Sequence, residues 1–165
     1  MEESGSTHIK RHARCAERKK EKVITVDEYL AQHGAGYEAE LDDDLRANAQ
    51  ITVDRANAVL EAFGESRGLR SGWRPRSVND ATPNAAHNSR HITCEAIDIE
   101  DDDKRLQEWC SEHDGERLIP FDCYMENPIA TPSWVHLQIV PPGSGLRVYF
   151  PNATWARRAH EEGLA

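Results

Sequence analysis

No stretch of the 165 residues approaches the ~20 apolar side chains of a membrane span, and the first 22 residues contain no apolar run that could serve as a secretory signal. Neither a membrane span nor signal-peptide export is expected. CxxC spacing is absent as well. Cys15, Cys94, Cys110 and Cys123 stand far apart, which argues against a zinc ribbon or a redox pair and leaves free thiols without a disulfide as the expectation. Basic residues are outnumbered, 20 to 29, and a net charge of −9 argues against nucleic acid as a partner, because phosphate neutralisation needs a basic surface. Repeats and low-complexity tracts are missing too, so one folded domain with polar ends suffices.

The charge that is present is unevenly spread. Residues 1–22 hold seven Lys/Arg and four Glu, net +3, so residues 23–165 carry thirteen against twenty-five, net −12. We therefore divide the chain into a basic, flexible arm (1–22), a central domain (23–151) and a C-terminal helix or tail (152–165). Within the domain, Asp27 is positioned to cap a short helix containing Tyr29 and Leu30, and Gly34 and Gly36 end it. From Glu38 to about Glu65, apolar residues recur at three- and four-residue spacing, from Leu41 and Leu45 to Leu60 and Phe63, which predicts a core helix with a possible break near Thr52. Asn57 inside that pattern calls for a buried hydrogen-bond partner.

After Leu69 the periodicity becomes alternating. Strands are predicted at Leu69–Trp73, Glu95–Glu100, Phe121–Glu126, Val135–Val140 and Leu146–Phe150, with a helix over Asp102–His113 and a polar loop over Asn79–Asn88. The fold class is α+β, a single domain with N-terminal helices packed on a mainly antiparallel sheet.

Two of these strands carry polar groups opposite an apolar face. In EAIDIE, Asp98 points away from Ile97 and Ile99; in WVHLQIV, Trp134, His136 and Gln138 point away from Val135, Leu137 and Ile139. An aspartate and a histidine buried there need partners. Ordinary hydrogen bonds would serve. So would a metal, because His91, seven residues before Asp98, completes a set of two nitrogens and one carboxylate that leaves a fourth position open, the pattern of catalytic zinc.

SGWRP (Ser71–Pro75), NSRHITCEAIDIE (Asn88–Glu100) and SWVHLQ (Ser133–Gln138), in this order, resemble the M15 zinc peptidases of the D-alanyl-D-alanine carboxypeptidase and phage endolysin group. The resemblance covers roughly residues 38–151. It implies the hedgehog/DD-peptidase fold, Zn2+ held by His91, Asp98 and His136, and hydrolysis of a peptide bond in peptidoglycan stem peptides. It also implies that Arg74 recognises a substrate carboxylate or carbonyl, in keeping with the bidentate pairing of guanidinium groups. Ser89 would sit at the edge of the site, Trp134 would form pocket wall, and Gln138 would orient a ligand or contact substrate.

Two positions depart from the family pattern. Cys94 stands where a glycine is usual, and is read as structural. Ser133 stands where many members carry the Asp or Glu that activates the attacking water, and a serine does not act as that base at neutral pH without help. If Phe121–Glu126 and Trp134–Val140 form a hairpin with residue 126 opposite 134, Glu126 shares the face of His136 and lies diagonal to it, so Glu126 is the candidate general base. The alternative for Glu126 is a capping or salt-bridged residue.

The expected function is thus an endolysin-type endopeptidase or a D-Ala-D-Ala carboxypeptidase, monomeric, made in the cytoplasm and reaching the wall by phage-type release or within a virion. The opposing expectation is a zinc-containing wall-binding or virion module without catalysis. Hedgehog-like signalling has little support. His8, His12, His33, His87, His113 and His160 match no part of the pattern and are read as surface residues, although His87 belongs to a loop that could border the pocket.

Overall fold

The first helix begins two residues earlier than Asp27 suggests. In the computed structural model, which describes residues 23–83 and 85–163, Thr25 is the cap: its hydroxyl accepts from the Glu28 amide at 3.1 Å while the Glu28 carboxylate accepts from the Thr25 amide at 3.1 Å. This reciprocal box satisfies two donors at once, which an Asp27 cap would not, and starts α1 at Val26–Gly34. The basic arm, 1–22, and Cys15 lie outside the described residues.

A separate turn at Glu38–Glu40 precedes α2, Asp43–Phe63, whose cap is Asp42 and whose stop is Gly64 in the left-handed region. The helix runs unbroken through Thr52, because that hydroxyl donates outward to the Cys94 carbonyl at 2.7 Å. Asn57 is paired on both sides with the Ile24 backbone, accepting from its amide at 3.1 Å and donating to its carbonyl at 2.8 Å. The polar residue therefore ties the chain before α1 to the middle of α2.

Among the described residues five strands follow: β1 Leu69–Ser71, β2 Ala96–Glu100, β3 Tyr124–Glu126, β4 Trp134–Gln138 and β5 Val148–Tyr149. Their order is β1-β2-β4-β3-β5, antiparallel except for the last pair, so the architecture is α+β with a mixed sheet. The remaining helices among the described residues are α3 Arg76–Ala81, α4 Arg105–Gly115 and α5 Ala153–Glu161, the last capped by Asn152. The α3 turn replaces the first part of the expected polar loop. Asn79 lies within it, buried, donating to the Ala86 carbonyl at 3.0 Å. The start of α4 is fixed by the buried Asp101, whose carboxylate accepts from the amides of Leu106 and Gln107 at 3.0 and 2.8 Å.

The strand expected from Phe121 starts only at Tyr124, since Glu116–Phe121 is a 3-10 turn and Asp122 takes φ +49°. One sheet face packs on the helices. Ile97, Ile99, Val135, Leu137 and Met125 join Val53, Ala56, Val59 and Leu60 of α2 in a single buried cluster. Each of the larger side chains contributes roughly 1.5–3 kcal/mol, which offsets the cost of holding charged groups on the opposite face.

Cys94, Cys110 and Cys123 are free and buried. Burial pushes the thiols of Cys94 and Cys123 up to about 12, and that of Cys110 higher still. A thiol reagent at pH 7–8 should therefore leave all three unmodified in the native chain and label them after denaturation. Modification of Cys94 in the folded protein, read by mass spectrometry, would show instead that solvent reaches it.

Candidate metal centre

The SGWR segment leaves β1 and each of its residues has a distinct contact. Gly72 passes so close to α1 that a Cβ there would lie 2.1 Å from the Tyr29 carbonyl oxygen. Its amide donates to the Gln32 side chain at 2.9 Å, and the following Trp73 amide donates to Tyr29 O at 3.1 Å. Trp73 is buried against Gly34. The carbonyl of Gly72 lies 2.8 Å from Nδ1 of His91. Because a carbonyl only accepts, Nδ1 carries the proton and Nε2 of a neutral ring offers a lone pair.

His91 Nε2 lies 3.3 Å from Asp98 Oδ1. His136 Nδ1 approaches the same oxygen at 2.7 Å, and the two imidazole rings meet edge-on with centroids 5.2 Å apart. Asp98 and His136 are direct cross-strand partners of β2 and β4. Among the described residues, these three are the group whose ligand atoms, one from each, all lie within 4.8 Å of one another, and all three are buried. Two nitrogens and a carboxylate converging on one point fit a tetrahedral zinc, whose bonds of about 2 Å set donor atoms about 3.3 Å apart.

The three groups also act on one another. Burial alone would raise the Asp98 pKa, but the charge of His91 and hydrogen bonds from His136 and His91 hold it well below the usual carboxylate range. Burial alone would lower His136, but the hydrogen bond and charge of Asp98, with Glu126 adding, raise it.

Residues 22–137 match the peptidase M15 family, a span that includes His91, Asp98, Glu126 and His136. The chain belongs to the M15 peptidases. No curated protein and no solved structure matches it. Membership in the M15 family makes peptide-bond hydrolysis the function class and the His91–Asp98–His136 group the zinc site expected of it.

Glu126 sits differently from the expected hairpin. The β3–β4 register pairs Tyr124 with Gln138 and Met125 with Leu137, so its continuation sets Glu126 opposite His136 and not opposite Trp134. Trp134 is instead the partner of Glu100. The shift of two residues keeps Glu126 on the same face and brings its Oε1 to 4.0 Å from His136 Nε2. Ser133 is remote in chemistry: its hydroxyl accepts from Arg70 Nη1 at 3.4 Å, and the Arg70 guanidinium stacks on Trp134 at 4.6 Å.

A cleft of about 410 Å3 opens beside His136, lined by Ser89, Arg90, Glu126, Gln138, Tyr149 and Pro141 among others. A larger hollow of about 530 Å3, against Val23, Asn57 and Glu65, holds none of the site groups. Ser89 accepts from the His91 amide at 3.4 Å. Arg74 and Trp134 do not line the cleft. The guanidinium of Arg74 donates to Ser71 Oγ at 3.2 Å and Asn79 Oδ1 at 3.4 Å, and its backbone amide donates to the His91 carbonyl at 3.1 Å. Gln138 uses both ends of its amide within the chain.

Two residues near the site have no signal in the sequence. His33, at the end of α1, is half-buried, and its pKa is lowered by burial and then by the charges of Arg74 and His91, which places it in the field of the site. Tyr149 on β5 lines the cleft next to Glu126, its strand partner.

Cys94 also gains an explanation. It adopts φ +56°, the left-handed region that glycine enters without cost, between His91 and Asp98. Cys94 bears at its Cβ the strain that a glycine there would avoid.

Proposed function

We propose that this M15 peptidase is a zinc-dependent hydrolase of peptidoglycan stem peptides, either an endolysin-type endopeptidase or a D-Ala-D-Ala carboxypeptidase. The observation that carries the reading is the convergence of His91 Nε2 and His136 Nδ1 on Asp98 Oδ1, with a carboxylate, Glu126, 4.0 Å from the other ring nitrogen of His136. His91, Asp98 and His136 would hold the ion. A bound zinc polarises the scissile carbonyl and makes water a nucleophile near neutral pH.

The chain's own groups supply the rest. Gly72 O fixes the His91 tautomer, and Asp98, buried between the two histidines, aligns both rings. Glu126 takes the proton from the attacking water and delivers it to the leaving amine, replacing the carboxylate that Ser133 does not provide. Arg74 offers a guanidinium to a substrate carboxylate or carbonyl, released from its contacts with Ser71 and Asn79. Ser89 lies on the cleft wall.

The second reading, a zinc-containing module without catalysis, draws on Ser133, whose hydroxyl is engaged with Arg70. The position of Glu126 favours hydrolysis. Digestion of purified peptidoglycan by the zinc-loaded chain, alongside His136→Ala, tests this directly. Zinc-dependent release of amines and fragments is expected, lost in the variant, with fragment masses naming the bond. Bound zinc with no release from several wall types would sink the hydrolase reading.

A further inference from the structure

At the end of the sheet beyond Glu126, a second polar chain is built into the cleft. Tyr149 is 6% exposed, yet its hydroxyl lies 2.6 Å from Gln138 Oε1. The Gln138 amide is oriented by its own Nε2, which donates to the Val140 carbonyl at 2.6 Å. Oε1 is therefore the acceptor, and Tyr149 must donate its one proton to it. The phenol oxygen is left with lone pairs and no hydrogen to give. Burial, with the charges of Glu126 and Asp98, pushes its pKa up, so it remains a neutral phenol across the working range.

Tyr149 and Glu126 are paired residues of β5 and β3 and line the same cleft as His136. A peptide lying in this cleft beside His136 and Glu126 has Tyr149 in its wall, and the donors that every peptide backbone carries are its N–H groups. We propose that the Tyr149 phenol oxygen accepts a hydrogen bond from a backbone N–H of the bound peptide, with Gln138 as the positioning residue that holds the phenol proton away from the cleft. This rests on the peptidase chemistry of the family and on binding in this cleft; it does not require the peptide to come from the cell wall.

The test is equilibrium binding of a soluble muramyl pentapeptide and, in parallel, an oligoalanine to the zinc-loaded full chain. It is done in a Glu126→Gln background, expected to slow turnover about 100-fold or more, with Tyr149 intact and the probe checked by mass spectrometry to be uncleaved. Each backbone amide of the probe is replaced in turn by an ester, which removes one N–H. One ester should weaken binding about tenfold when Tyr149 is present and less than about twofold when it is Phe. Gln138→Leu, which frees the phenol proton, should shrink the same penalty and serves if Tyr149→Phe does not fold. A merely structural tyrosine would alter overall affinity and leave every ester penalty unchanged, and that result overturns the proposal. If only oligoalanine binds, with a penalty that depends on Tyr149, the inference stands and the cell-wall reading falls. If neither probe binds, both fall.

Discussion

Glu126→Gln should lower kcat by about 100- to 10,000-fold while zinc stays bound, the range spanned by loss of a positioned general base. Glutamine keeps the size of the side chain and its approach to His136 Nε2 at 4.0 Å, and removes only the capacity to take a proton. Glu126 has a rival role on the same geometry. A carboxylate beside the second nitrogen of a ligating histidine can hold that ring's tautomer, and its loss then costs metal affinity, typically about 10- to 100-fold. The two roles separate cleanly in one pair of measurements, turnover at saturating zinc and the zinc dissociation constant. Turnover lost with affinity kept marks the base. Affinity lost with turnover restored by excess zinc marks the orienting group, and near-normal values of both exclude either.

The second large effect is expected at a residue with no side chain. Gly72→Ala places a methyl group 2.1 Å from the Tyr29 carbonyl oxygen and 2.8 Å from its carbon, and these are backbone atoms of α1 that cannot rotate aside. Relief requires moving the end of β1 away from the helix, at about 1–3 kcal/mol or more. The same movement carries off the carbonyl that holds His91 Nδ1. A lower melting temperature and zinc binding weakened about 10- to 100-fold are therefore expected together. Gly143→Ala is the control, because a Cβ added there would meet nothing within 4 Å, and it should change neither quantity. Equal behaviour of the two variants would contradict the coupling between Gly72 and the metal donors.

Much of this site is legible in the sequence because strand alternation is a rigid rule. Ile97 and Ile99 must face the core, so Asp98 cannot, and the same holds for His136 between Val135 and Leu137. What alternation leaves open is register. Residues 127–133 admit more than one pairing of their flanking strands, and pairings two residues apart keep every side chain on its face, so alternation puts Glu126 on the right face without fixing its partner. Tyr149 is silent in the sequence for a related reason. Its strand is two residues long and joins the sheet in parallel, so no hairpin turn ties its parity to the site. Local capping misleads in another way. Asp27 and Thr25 are both good caps, and only the reciprocal bond from Glu28 decides between them. Polar Asn79 conceals α3 because its partners, Arg74 and the Ala86 carbonyl, come from outside the helix.

The metal donors are also far apart along the chain: Asp98 and His136 are separated by 38 residues, and His91 is held by a carbonyl 19 residues away. No local fragment contains the set. Closing these loops is entropically costly, and the set is complete only when β2, β4 and the segment after β1 are all in place. An ion that prefers the assembled set therefore acts as a clasp on the whole topology. Its concentration should set how often the sheet opens, so the melting temperature should climb with the logarithm of free zinc and fall back when a chelator is added.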